Sequence, residues 1–199
     1  LPLRLCGKLL IFVSTFSRVI LQIFPANPAL RYTPVCGKLR LIVLFKKESI
    51  IKAPPERVFA FHELPDAFER LIPPWENVEV IQKADISKIG SQAIVVQKFL
   101  GLTVARLVAE HTKYDPPRMF EDTIVSGPIK FWRHRHIVEP YEDRAKLRDE
   151  IEFELPFSVF GAAAASLFVL PKLEKMFEYR HMTTIKWCEN ADTHSSLEI

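Results

Sequence analysis

The sequence predicts an α+β domain in which an antiparallel, curved sheet wraps on a long C-terminal helix. Three observations carry that expectation. Six segments between Val78 and Leu155 read as strands separated by short turn-forming stretches, and connections this short make an antiparallel meander. Two short helical segments follow a first strand and precede the meander. A helix-forming segment then runs from Phe157 to about Thr184, long enough to cover one face of a sheet.

Composition bounds the function classes. Hydrophobic content of 48 % and charged content of 26 % over 199 residues suit one globular domain with an extension. The net charge of +3 conceals an asymmetry: residues 1–47 carry +8 and no acid, and the remainder carries −5. A mildly acidic globular part argues against a nucleic-acid partner. Cys6, Cys36 and Cys188 show neither CxxC nor metal-type spacing, so a reducing, cytoplasmic setting without a disulfide framework is expected. The apolar run Leu9–Phe24 has 16 residues and contains Arg18, short of the roughly 20 apolar residues that span a bilayer. Residues 1–43 are read as a basic, apolar leader. Three roles are open for it: targeting or possible membrane contact, an extension without function, or an integral part of the fold. The ligand-binding domain is expected over residues 44–186, followed by a polar tail over 187–199.

Each element has a local reason. Phe45–Lys52 reads as a strand, and Ala53-Pro54-Pro55-Glu56 then opens a helix, with proline in the first turn and an acid at the positive dipole end. Val58, Phe59 and Phe61 supply its apolar side. Pro65-Asp66 opens a second short helix through Leu71, stopped by Pro73-Pro74. The strands expected next are Val78–Ala84, Gln92–Leu100, Thr103–Tyr114, Arg118–Val125, Ile129–Pro140 and Arg144–Leu155. In the last of these Leu147, Asp149, Ile151, Phe153 and Leu155 alternate with charged residues, so one face is buried and the other wet. In the C-terminal helix Leu170, Leu173 and Phe177 share a face, Ala162–Ala165 favour helix, and Pro171 predicts a kink or break.

Residues 51–59 (IKAPPERVF), 65–71 (PDAFERL), Pro74-Trp75, Gly127-Pro128-x-x-x-Trp132-x-His134-x-His136 and Met176-Phe177-x-Tyr179-Arg180-His181 occur in that order. Together they resemble the SRPBCC superfamily of helix-grip, START-like proteins. That superfamily includes polyketide cyclase/dehydrase-like and coenzyme Q-binding members and a bacterial ligand-binding subgroup. The resemblance spans roughly residues 45–184. It implies a cavity of about 300 Å³ or more between sheet and C-terminal helix. It also implies binding of a hydrophobic or amphipathic small molecule, such as a lipid, quinone or polyketide-like compound.

The candidate ligand-binding residues are Phe59, Phe120, Trp132, His134, His136, Ile151, Phe153, Leu173 and Phe177. Asp122, His134, His136 and Asp149 form the chemically sharper group. On neighbouring strands they would pair as Asp–His hydrogen bonds, since buried charges need partners. Three roles are open for them: a polar network fixing register, recognition of a ligand head group, or general acid–base chemistry. The last defines the alternative function, a cyclase/dehydratase-type enzyme with His134 or His136 moving the proton and Asp122 or Asp149 orienting it. Metal binding by His134 and His136 with Asp122 is not expected, because no further ligand joins them, and no cofactor is expected. No GxSxG, HExxH, P-loop or GxGxxG context supports hydrolase, zinc-protease or nucleotide chemistry.

Overall fold

Period-two burial along the strands sets the layers of the protein. In the computed structural model, which describes residues 30–35, 38–154 and 165–190, the chain order is strands β1 (Leu30–Val35) and β2 (Lys38–Ile51), then helices α1 (Pro55–Glu63) and α2 (Ala67–Arg70). Strands β3 (Val78–Gln82), β4 (Gln92–Phe99), β5 (Leu102–Asp115), β6 (Met119–Ser126), β7 (Phe131–Tyr141) and β8 (Arg144–Glu154) follow. A π-helical turn at Ala165–Val169 leads into α3 (Leu170–Glu189). The strands form one sheet in the order β1-β2-β8-β7-β6-β5-β4-β3. The described pairings from β2 onward are all antiparallel. The first long strand thus lies beside the last, and the two short helices carry the chain to the far edge. This is the helix-grip arrangement.

Several elements differ from the sequence expectation. Strand β2 starts at Lys38, ahead of Phe45, so strand residues occupy part of the segment read as a leader. Pro171 sits in the first turn of α3, where the preceding π-helical turn gives way to regular α-helix, so the helical run changes character at the proline. The helix also runs past Thr184 to Glu189. The apolar run Leu9–Phe24, Cys6, Cys36, Ala162–Ala164 and the tail beyond residue 190 lie outside the described residues.

Strand β8 shows the sidedness most clearly. Ala145, Leu147, Asp149, Ile151 and Phe153 are buried, whereas Arg148, Glu150 and Glu152 stand on the other face. That outer face is tied by ion pairs, among them Arg133–Glu152 and Arg135–Glu152, each at 2.7 Å. Against the inner face, α3 buries Leu173, Phe177, His181, Thr184 and Cys188, a stripe at steps of three and four. The Phe177 ring packs 5.4 Å from Phe45 and 5.3 Å from His134. Val58, Phe59 and Phe61 of α1 join Phe120, Val138 and Leu147 in the central cluster. The β4–β5 hairpin turns through Leu100 and Gly101, both at positive φ (50° and 79°), the backbone that suits a two-residue turn to strand twist. Among the described residues no helix is long and apolar enough to cross a membrane.

Candidate functional site

Strand register assembles the polar group. His134 and His136 are two apart on β7 and share a face. Asp122 of β6 is directly opposite His134, and His111 of β5 is opposite Asp122. One row therefore reads His111, Asp122, His134 across three strands. The next row reads Phe120, His136, Asp149 across β6, β7 and β8. From above, α3 lowers His181 onto the same place.

Asp149 is the hub. Its Oδ1 accepts a hydrogen bond from His134 Nε2 at 2.8 Å and also lies 2.8 Å from His136 Nδ1. Its Oδ2 accepts from His181 Nε2 at 2.7 Å, and His181 Nδ1 meets the Ser49 hydroxyl at 2.8 Å. Asp122 takes the opposite side: its Oδ2 stands 3.5 Å from both His134 Nδ1 and His136 Nε2. The His134 and His136 rings lie 3.8 Å apart, and Phe120 stacks on His136 at 4.0 Å and 12°.

The electrostatics follow from burial set against charge. Burial opposes a charge on His136, but the Asp149 and Asp122 carboxylates outweigh it and raise its pKa to about 9. Burial and then the neighbouring His136 cation lower His134. The same two causes, in the same order, take His62 of α1 down to about 4. Burial would raise Asp149, yet the surrounding imidazoles, His136 first, hold it well below the usual carboxylate range. Asp122 is lowered in the same way, against burial, chiefly by His136.

The group forms one wall of a pocket of about 230 Å³. Asp122, His134, His136, His62, His111 and Arg180 supply its polar side. Leu71, Val95, Leu107, Ile124, Trp132 and Met176 belong to the apolar side. Of the residues expected to bind ligand, Phe120, Trp132, His134 and His136 face this space. Phe59, Ile151, Phe153, Leu173 and Phe177 do not. They are at most 5 % exposed and pack in the solid interior. Their bulk fills the middle of the sheet–helix interface and confines the pocket to the side bounded by β4–β7, which is why it is smaller than expected. Asp149 stands behind the wall and holds it, without facing the pocket.

Four contributors were not among the residues expected to bind ligand. His181 was legible in principle, since it continues the α3 stripe four residues beyond Phe177. Arg180 donates from Nε to the Leu71 carbonyl at 3.1 Å and lies over the Phe177 ring, a bond between distant segments that no local pattern announces. His62 bonds through Nδ1 to the Val58 carbonyl at 2.9 Å, one turn back in α1. His111 arrives only through register.

A helix-grip domain with a small pocket and a titratable wall has the architecture of a ligand-binding fold family. Residues 51–181 match the family described as polyketide cyclase / dehydrase and lipid transport, and the chain belongs to that family. Among solved structures, a protein from Thermus thermophilus is similar at 17 % identity and a TM-score of 0.58, over 75 % of this chain and 99 % of its own. A START superfamily protein from Mycobacterium smegmatis is similar at 12 % identity and a TM-score of 0.53, over 73 % and 97 %. Norcoclaurine synthase from Thalictrum flavum, in complex with dopamine and hydroxybenzaldehyde, is similar at 13 % identity and a TM-score of 0.53, over 73 % and 87 %. At these identities the likeness is one of fold. No curated protein matches the sequence.

Proposed function

We propose that the pocket binds a small, mostly apolar organic molecule whose one polar group meets the Asp122, His134, His136 and Arg180 wall. The observation that carries this reading is the pairing of an apolar chamber with a single cluster of oriented polar groups. Apolar contact would supply affinity at roughly 25 cal/mol per Å² before binding costs. A volume of about 230 Å³ favours a ring system or short chain over a whole long-chain lipid, since an apolar cavity of about 150 Å³ already holds benzene. A cytoplasmic setting, and any membrane contact through residues 1–43, belong to the same proposal. The latter fails if deleting residues 1–29, ahead of β1, leaves membrane partition unchanged.

A second reading has its own observation. His134 and His136 both face the pocket and are both oriented by carboxylates, the arrangement proton transfer requires. Cyclase or dehydratase chemistry on the bound molecule is therefore the alternative.

Native mass spectrometry of the full chain, followed by organic extraction, tests the binding reading. A bound compound with one or two rings or a short chain, in one-to-one ratio, is expected. A protein that takes up nothing from a panel of such compounds would overturn it. Loss of turnover with retained binding in His134→Ala or His136→Ala would establish the enzyme reading.

A further inference from the structure

We propose that Asp122, His134 and His136 form a three-ligand site for a first-row divalent transition-metal ion, of the Zn²⁺ or Fe²⁺ class, with its open position facing the pocket. The inference goes beyond organic-ligand binding and does not depend on it.

Convergence is the first argument. His134 Nδ1 and His136 Nε2 each lie 3.5 Å from Asp122 Oδ2, and the three residues offer ligand atoms within 4.8 Å of one another. Both 3.5 Å contacts are longer than a good hydrogen bond. They suit atoms sharing an ion, because ligands about 2.0–2.1 Å from a tetrahedral centre stand roughly 3.3 Å apart.

The supporting shell is the second argument. Asp149 engages the other nitrogen of each imidazole, Nε2 of His134 and Nδ1 of His136. With hydrogen on those nitrogens, His134 Nδ1 and His136 Nε2, the ring atoms nearest Asp122, are the ones left to bind an ion. A carboxylate behind a ligating histidine fixes its tautomer and ring orientation and raises its basicity. Here Asp149 does so for His134, lies 2.8 Å from His136 Nδ1, and is itself held by His181, which in turn bonds to Ser49.

Charge and donor type agree. The part-buried Asp122 and buried Asp149 carboxylates balance the charge of one divalent ion. Two imidazoles and a carboxylate suit zinc, iron or cobalt better than magnesium or calcium, which take oxygen ligands. The expectation of no metal rested on the lack of a fourth protein ligand. A site with an open position needs only three, and all three line the pocket.

The test uses the full chain, stripped with a chelator and freed of organic ligand, with Co²⁺ as the probe. Titration calorimetry and visible absorption should show one Co²⁺ bound per chain with nitrogen–oxygen ligand-field bands and no thiolate charge transfer, displaced by Zn²⁺. Asp122→Asn and His136→Ala should each weaken binding at least about 100-fold while circular dichroism stays that of the folded protein. Asp149→Asn, a positioning variant, should weaken it about 10–100-fold and shift the ligand-field bands. Should Asp149→Asn fail to fold, Asp122→Asn carries the test alone. Absence of Co²⁺ uptake by the folded, stripped protein, or uptake unchanged in Asp122→Asn, would overturn the proposal. Neither result touches the organic-ligand reading, which is measured without metal.

Discussion

At Asp149 a single carboxylate, 3 % exposed, meets three imidazoles at 2.7–2.8 Å. Replacing it with asparagine keeps the shape but sets an amide N–H₂ against a ring N–H and removes the charge that His136 answers. Asp149→Asn should therefore destabilise the metal-free protein by about 3 kcal/mol, read from denaturant unfolding. Cys188 presents the opposite case. Burial pushes its thiol up to about 12 from the ordinary 9, and it is 3 % exposed under α1. Because the thiolate is the nucleophile, Cys188 should resist alkylation in the native protein at about pH 8–10 and react once urea unfolds the chain. Rapid native labelling of Cys188, located by peptide mapping, would contradict that. Asp149 was legible as the only acid on the apolar face of its strand. Two of its partners, His134 and His136, were expected from the neighbouring strand; the third, His181, was not, because it comes from a distant helix.

Helix α3 is held by two kinds of contact with different weight. Phe177 is 1 % exposed and packs on Phe45 and His134. Phe177→Ala should therefore cost about 3–5 kcal/mol in unfolding free energy. Lys47 also bridges to the helix, at 2.7 Å to Glu174 and 2.5 Å to Glu178, but both acids are more than half exposed. Lys47→Ala should change stability by less than about 1 kcal/mol. The unfolding midpoints of the two variants decide which contact holds the grip. At this scale the strands from β3 to β8 were readable from alternation and turn residues. The start of α3 was not, because a proline inside a helical stretch signals both an interruption and a first turn, and only the observed end of the helix separates the two.

The whole molecule places its pocket where small residues leave space. Ala93 and Ala109 are register partners on β4 and β5, and both line the pocket. Ala109→Phe should fill it, abolishing uptake of the small organic ligand while the protein stays folded by circular dichroism. Retained uptake would move the binding site elsewhere. Local sequence was enough to determine the α+β class, the meander and the helix that covers it, because periodicity and turn chemistry act over a few residues. It also grouped His134 with His136, and Asp149 with Leu147, Ile151 and Phe153, on one face of each strand, because alternation assigns faces within a strand. Which inner-face residues border open space and which fill the core was decided only by the tertiary structure. That division depends on the volumes of side chains brought together from helices and strands distant in sequence. Phe59, Ile151, Phe153, Leu173 and Phe177 thus became packing, while His62, His111 and Arg180 became wall. The direction in which each histidine offers its second nitrogen was decided there too, by one carboxylate on a neighbouring strand reaching three rings.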